Sequence, residues 1–355
     1  MSEAGPSNFH DLDALDREIL QSLQINGRAA FSVIAAALGT SEQTVARRYR
    51  RMRAAGVVRV VGVVDPITAN QLDWMIRITC RPHASTAVAT ALAHRDDVSW
   101  VSLIGAGNEI VASLRARTQD ARDELLLRQL PKTEQVLDLS AWIVMHRFTG
   151  RYEKDWSSYG HRLDPSSIAV LRGGGDDSPD AGPTPAPEPI RPEDGPLITA
   201  LALDGRTSLA ALAQLTNWTQ GRTKRRLDAL IGSGTIYLDV DLSTAALGFP
   251  LMVMLWMSIE PRHLDSFGNA LVAQPEMTFA GATTGRWNLF AAVAMTGVDE
   301  LYRFVNRIGD LAPGLQQMEV VPVIDRIKQA GSMVNGGRLV DRVLPPARTT
   351  ARRRR

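Results

Sequence analysis

Cysteine is almost missing: Cys80 is the one thiol in 355 residues, so no disulfide can close within the chain and no thiolate metal cluster can form in it. Histidine is also sparse. His10, His83, His94, His146, His161 and His263 show none of the His-x-x-x-His spacing that places two imidazoles on one helix face. His146 falls on an alternating strand and reads as a structural residue. No apolar run reaches membrane-spanning length, and the most apolar stretch, Leu247 to Ile259, is interrupted by Pro250. Met1 to Asp13 is polar and lacks a signal-peptide core. No glycine-rich phosphate loop with its lysine and no nucleophile motif is found. Neither sign of charge dominates, with a net charge of +2, but a near-neutral total can conceal a local basic patch. These absences predict no catalytic residue, no metal and no cofactor, and a reducing, cytoplasmic setting. What remains is a globular composition, 45% hydrophobic and 22% charged, long enough for several domains at roughly 100–200 residues each.

The chain repeats itself. Asn26-Gly27-Arg28 returns as Asp204-Gly205-Arg206, Arg47-Arg48 as Arg225-Arg226, and Gly56 as Gly234, each at an offset of 178 (205 − 27, 225 − 47, 234 − 56). A constant offset over a whole segment points to a duplicated unit. Between the copies, Gly173-Gly174-Gly175-Asp176-Asp177 and the Pro-, Asp- and Glu-crowded run Ser178 to Pro192 read as a linker. The tail Ala347 to Arg355 ends in four arginines.

Each copy begins with helical spacing. Leu12, Leu15, Ile19, Leu20 and Leu23 predict a first helix, capped by Asp11 or Asp13 and ended at Asn26-Gly27. Phe31 to Leu38 predicts a second, and Ser41 caps a third that runs to Ala55 before Gly56. Val57 to Val64 is β-branched and reads as a strand pair or wing. In the second copy the helices fall at Glu193–Leu203, Ser208–Thr216 and Thr219–Ile231, with a strand at Ile236–Leu242. The later part of each copy alternates β-α-β-β-α-β, the ferredoxin-like order. The strands are Trp74–Cys80, Val98–Ile104, Ile110–Ala116 and Val136–Arg147, with helices Ser85–His94 and Gln119–Gln129. In the second copy they are Leu251–Ile259, Met277–Thr283, Leu289–Thr296 and Leu315–Ile324, with helices Arg262–Ala273 and Val298–Ile308. The predicted class is therefore α+β. Residues 1–64 form a winged helix-turn-helix, 65–150 a ferredoxin-like domain, 151–192 a linker, 193–242 a second helix-turn-helix, 243–330 a second ferredoxin-like domain and 331–355 a tail, basic at its end.

Three short helices with a glycine turn before the third can lay that third helix in the major groove of DNA. Val45, Tyr49 and Met52 face the core, which leaves Gln43, Ala46, Arg47 and Arg50 outward, with Gln43 and Arg47 one turn apart. Glutamine and arginine are the bidentate partners of adenine and guanine. Ser41, Thr44, Arg48 and Arg51 complete the predicted interface, with Arg53 and Arg59 extending its positive surface. The helix holds no acidic residue after Glu42. The second copy is weaker: Gln43 is replaced by Gly221 and Arg50 by Asp228, although Arg222, Lys224, Arg225 and Arg226 keep the helix start basic.

The run Leu12-Asp13-Ala14-Leu15-Asp16-Arg17-Glu18-Ile19-Leu20, then Asn26-Gly27-Arg28, Thr44-Val45-Ala46-Arg47-Arg48 and Gly56-Val57-Val58, resembles the feast/famine (Lrp/AsnC) family of transcription regulators, here as a tandem member. The resemblance implies sequence-specific binding of double-stranded DNA at the nucleoid, assembly through the ferredoxin-like domains as an intrachain pseudo-dimer and homo-oligomer, and a small-molecule effector at the turn after the second strand of that domain. The matching residues are Gly105, Gly107 and Asn108 in one copy and Gly285, Arg286, Trp287 and Asn288 in the other. Asn stands where the family carries Asp, so the charge that would hold an α-ammonium group is missing, and the effector is an amino acid or another metabolite. Two other readings fit the architecture. Sirohaem decarboxylases are similar to this family and need His and Arg around a tetrapyrrole, for which Arg81, Arg115 and Arg147 offer no evident cluster. An effector-binding assembly module with vestigial DNA heads is the third.

Overall fold

The computed structural model describes residues 12–341 apart from 67, 69, 70, 117, 150–155, 157, 161, 174–185 and 312. Three helices lead: α1 (Ala14–Ile25), α2 (Phe31–Ala37) and α3 (Glu42–Ala54), followed by strand β1 (Val58–Val64). Asp13 and Asp16 close a capping box at the start of α1, and Ser41 Oγ accepts the Thr44 N–H at 3.1 Å to cap α3. Ile19, Leu20, Leu23, Ile34, Val45, Tyr49 and Met52 meet in one apolar cluster. Next come β2 (Trp74–Cys80), α4 (Ser85–Ala93), β3 (Val98–Ile104), β4 (Glu109–Leu114), α5 (Gln119–Asp123) and β5 (Val136–Arg147). After α5 the helix widens to π geometry over Glu124–Gln129.

A short helix, α6 (Pro165–Leu171), precedes the second set: α7 (Gly195–Leu203), α8 (Leu209–Thr216), α9 (Gln220–Gly232) and β6 (Ile236–Leu242). Then follow β7 (Leu251–Ile259), α10 (Leu264–Val272), β8 (Met277–Thr283), β9 (Leu289–Met295), α11 (Val298–Leu311), β10 (Leu315–Gln329), β11 (Ser332–Asn335) and β12 (Arg338–Val340). Among the described residues no helix is long and apolar enough to cross a membrane.

Three sequence expectations are corrected. β1 has no hairpin partner of its own: it pairs antiparallel with β6, so the expected wing is a two-stranded ribbon made from both halves of the chain. The expected linker 151–192 is partly folded onto the first three helices. Trp156, Tyr159 and Leu171 join their core, Ser167 Oγ donates to Ala37 O at 2.8 Å and Asn26 Nδ2 donates to Leu171 O at 3.1 Å. These apolar side chains are spaced too widely to stand out in a polar stretch; the glycine- and proline-rich run at 174–185 lies outside the described residues. The expected tail begins as the β11–β12 hairpin, anchored where Leu339 N–H donates to Gly56 O at 2.8 Å. Its arginine-rich end lies outside the described residues.

The ribbon register has a centre. Val61 faces Asp239, and those two residues are 178 apart (239 − 61), the offset of the sequence repeat. Around that centre two arginines clasp reciprocally. Arg28 donates to Gly205 O and Thr207 O at 2.5 and 3.0 Å, and Arg206 donates to Gly27 O and Ala29 O at 2.7 and 2.9 Å. The Arg206 guanidinium also lies 4.5 Å from the Phe31 ring centroid. β1 runs so close under α7 that a Cβ on Gly62 would meet Leu201 Cβ at 2.7 Å, which only glycine avoids.

The remaining strands close on themselves. Their order is β10-β3-β4-β2-β5-β8-β9-β7, and β7 pairs back to β10. Each long strand serves two sheets. β5 gives its first part to β2 and Val144–Arg147 to β8, while β10 gives Leu315–Pro322 to β7 and Val323–Lys328 to β3. Register shifts at Val144/His146 and Val323/Asp325 turn these corners. Helices cover the outer faces, giving cores around Ile76, Ile78 and Leu92 on one side and Leu255, Phe267 and Phe304 on the other. Met75, Val111, Met254, Trp256 and Phe290 fill part of the interior.

Arg206→Ala deletes two charge-assisted hydrogen bonds, worth about 1.5–3 kcal/mol each at sites of this kind. Amide hydrogen exchange is expected to accelerate in 58–64 and 236–242 while β2–β4 and β7–β9 keep their protection.

Candidate nucleic-acid interface and ligand chamber

On α3 the buried side is Val45, Tyr49 and Met52, and Gln43, Arg47 and Arg50 are exposed. Ser41 and Thr44 sit at its start with their hydroxyls 2.9 Å apart. Carboxylates absent from the helix itself arrive from elsewhere in the fold. Arg48 bonds Asp13 and Asp16 at 2.6 and 3.0 Å, Arg51 bonds Asp16 at 2.5 Å and Arg53 bonds Asp204 at 3.0 Å. Arg59 pairs with Asp341. Arg48, with its side chain 18% exposed, is thereby a brace between α1 and α3, and the expectation that it and Arg51 are free for phosphate is corrected. Arg47 and Arg50 have no ion pair among the described residues; Arg50 Nε donates only to Ala46 O, at 3.1 Å. The outward surface of α3 is thus Gln43, Arg47 and Arg50, one turn apart in succession.

The second helix differs more than its sequence suggests. Arg226 is buried. Its guanidinium bonds Asp194 twice, at 2.9 and 2.6 Å, Glu188 at 2.8 Å and Pro189 O at 2.6 Å, so it pins α9 to the chain entering α7 and is no DNA contact. Lys224 pairs with Asp228 at 2.6 Å. Arg222 lies 4.4 Å from the Trp218 ring centroid. Arg222 and Arg225 remain exposed.

Several groups of the two expected effector turns make internal bonds. Gly105 N–H donates to Pro322 O and Gly107 N–H to Ile104 O, both at 3.0 Å. Ser85 Oγ donates to Gly107 O and Cys80 N–H to Asn108 O. The Asn288 amide is committed at both ends, accepting from Ile259 N–H at 2.8 Å and donating to Ile259 O at 2.7 Å. The position both donates and accepts, which an ionised carboxylate could not do. Gly285 is left-handed at φ +95°, and Arg286 lies 5.0 Å from the Trp287 ring centroid at the surface.

A cavity of about 460 Å³ lies instead inside the closed barrel, and none of those turn residues lines it. Its walls include Met75, Trp100, Met252, Met254, Phe279 and Phe290, and its roof is the ribbon strand β6 with Tyr237, Asp239 and Asp241. Arg115, Arg147 and Arg326, far apart in sequence, converge on it, with His146 exposed at its rim. Burial pushes the Asp73 carboxyl up, but Arg115 and Arg147 outweigh it and hold Asp73 below the usual carboxylate range; Ser113 Oγ also donates to it at 3.1 Å. Asp239 is pushed up by burial against the same two arginines. Asp241, 1% exposed, is pushed well up by burial and by Asp239, against the bond from Ser332 Oγ. Burial brings Arg326 down to about 10. Its guanidinium lies 5.2 Å from the Trp100 centroid and bonds Gln329 at 3.0 Å. Nothing in the sequence pattern marked this chamber, because its charged residues come from six separate segments.

A raised carboxyl keeps its proton in the folded chain at a pH where the unfolded chain has lost it, so stability falls as pH rises from about 4 through the folded value. Asp241→Asn is expected to raise the melting temperature near neutral pH, with the gain shrinking toward pH 4. Arg226→Ala leaves Asp194 buried and unpaired, a loss of about 3–5 kcal/mol; thermal unfolding is expected to show it, whereas Arg225→Ala melts like the wild type.

Comparison with known proteins matches two segments of the chain. The AsnC-type helix-turn-helix domain matches residues 12–53, and the Lrp/AsnC ligand binding domain matches residues 252–333. An uncharacterized HTH-type transcriptional regulator of Pyrococcus furiosus is 30% identical over 127 residues, covering 35% of this chain and 86% of the relative. The HTH-type transcriptional regulator AldR of Mycolicibacterium smegmatis is 30% identical over 118 residues, 32% of this chain and 69% of the relative. Among solved structures, the siroheme decarboxylase NirDL superposes with a TM-score of 0.60 at 14% identity, over 89% of this chain and 93% of its own. At that identity the likeness is one of fold.

Proposed function

The chain belongs to the Lrp/AsnC family of transcriptional regulators, and from that premise we propose that it is a tandem member, binding DNA sequence-specifically as an intrachain pseudo-dimer under the control of a small molecule. The observation that carries the reading is the outer face of α3, where Gln43, Arg47 and Arg50 project with no ion pair among the described residues while every other arginine between Arg47 and Arg59 is paired. Helix insertion with a guanidinium on a base edge and another on phosphate follows from that geometry.

The duplication is supported by the shared 178-residue offset and by relatives that cover only about a third of the chain. The pseudo-dimer is supported by the ribbon, the reciprocal arginine clasp and the strand exchange at the barrel corners. The two reading heads are unequal, since α9 presents Arg222 and Arg225 but carries Asp228 where α3 has Arg50. An asymmetric pair of half-sites suits one chain; two chains together would restore symmetry.

The barrel chamber supports the effector part of the reading better than the turns do. Its roof is the ribbon that joins the two heads, so a ligand there bears directly on their relation. The sirohaem-decarboxylase reading gains from the fold likeness and from the convergence of Arg115, Arg147 and His146. It loses on charge. NirDL has been crystallised with an iron-uroporphyrin III analogue, a polycarboxylate, whereas here Arg115 and Arg147 are already taken by Asp73 and the roof adds two further carboxylates. The residues present do not fit such an anion.

The test is a salt titration of DNA affinity using fragments from the region upstream of the chain's own gene. Arg47→Ala with Arg50→Ala is expected to weaken binding and, with one guanidinium on phosphate, to lower the slope of log affinity against log salt by about 1. Arg222→Ala with Arg225→Ala is expected to cost less. Equal losses would overturn the ranking of the heads, and wild-type affinity in the first variant would overturn the DNA reading.

A further inference from the structure

We propose that the chamber inside the barrel binds an organic ammonium ion, an amine on an apolar or aromatic body, seated head-first on the carboxylates of Asp239 and Asp241. The regulatory consequence rests on the reading above; the binding itself does not.

The polar groups of the chamber divide into those already satisfied and those left over. Asp73 takes Arg115 at 3.3 Å, Arg147, and Ser113 at 3.1 Å, so this corner is closed to a further ion. Asp239 and Asp241 are two residues apart on one face of β6, and neither has an ion pair among the described residues. Asp241 takes a single side-chain bond, from Ser332 Oγ at 2.6 Å. Arg326, the cation facing it from β10, is turned over Trp100 and onto Gln329, and its Nε is buried with no partner. Trp156, which also lines the chamber, is 8% exposed, and its indole Nε1 is buried without an acceptor among the described residues. Asp239 and Asp241 are thus chamber carboxylates that lack an ion pair among the described residues, and once ionised they call for a cation.

Size and surface agree with an organic one. About 460 Å³ falls in the range of roughly 300–1,000 Å³ for small-molecule sites. The walls are aromatic and methionine side chains, and aromatic faces attract cations. A hydrated metal ion would leave that apolar wall unused, whereas an amine with an apolar body uses both parts.

Burial pushes both carboxyls up, and Asp241 is pushed further by Asp239, so each ionises less readily than a free carboxyl. An ammonium ion favours their charged form, so its affinity rises with pH. The groups facing the pair are Tyr237 on the same strand, Arg59 on β1, directly opposite Asp241 but paired with Asp341, Asp73 and Arg115 flanking β2 and β4, Arg147 on β5, Arg326 on β10 and Ser332 on β11. The opposite face of β6, with Leu238 and Val240, packs against the first helical unit, so charge pairing below is transmitted to the ribbon.

Calorimetry on the full chain without DNA tests this, with phenethylamine as the probe and 3-phenylpropionate as its carboxylate counterpart. Phenethylamine is expected to bind, more tightly near pH 8 than near pH 6 and with proton release, and 3-phenylpropionate not to bind. Asp239→Asn with Asp241→Asn is expected to weaken the amine by roughly 30-fold or more while melting no lower than the wild type at neutral pH; Asp241→Asn alone serves if the double variant does not fold. Failure of the amine to bind, equal binding of the carboxylate, or unchanged affinity in the Asn variant would each overturn the proposal. Because the measurement contains no DNA, loss of amine binding beside intact DNA binding sinks the chamber assignment alone, and the converse result sinks the regulator reading alone.

Discussion

The antiparallel pairing of β1 with β6 is the contact on which the rest of the molecule depends. It takes a strand from each half of the chain, neither of which has a hairpin partner of its own. An isolated strand leaves its backbone donors and acceptors exposed and its apolar face uncovered; joined, the two satisfy each other. Each then packs across onto the other half's helices, β1 under α7 and β6 against α1. Arg28 and Arg206 lock the crossing by filling backbone carbonyls on opposite sides. Those carbonyls belong to the loops that end α1 and α7, so the ribbon fixes where both three-helix units stand.

Charge on the first unit is sorted by the same packing. An arginine that points toward α1 or toward the second half meets Asp13, Asp16, Asp204 or Asp341 and becomes a brace. One that points away keeps its charge for an outside partner. Such surface-linked pairs add modest stability individually, but they change what the helix offers, reducing a broad basic run to a narrow stripe of Gln43, Arg47 and Arg50. In the second unit sorting goes further, because Arg226 is drawn fully inside by Asp194 and Glu188.

Below the ribbon, the long strands β5 and β10 each leave one sheet and enter the other. That exchange closes the strands around an interior too wide for side chains to fill, and the ribbon lies across the opening. Chamber and ribbon therefore share one strand, β6, with Tyr237, Asp239 and Asp241 on one face and Leu238 and Val240 on the other.

Periodicity and turn chemistry were enough to mark nearly every helix and strand, since α3 with Val45, Tyr49 and Met52 inward, or the β-α-β-β-α-β order, is a local matter of side-chain spacing. The repeat offset likewise stood in the sequence by itself, and with it the outward positions of Arg47 and Arg50. Partner choice was another matter. That Arg48 is neutralised by residues of α1, that Arg226 is buried, that Trp156 and Leu171 fold back onto the first core, and that Asp73, Asp239, Asp241, Arg115, Arg147 and Arg326 surround one cavity were decided only by tertiary structure. The reason is physical: spacing along a chain governs which face a residue takes, whereas a charge is satisfied by whatever the fold brings within a few ångströms, and those neighbours come from segments distant in sequence.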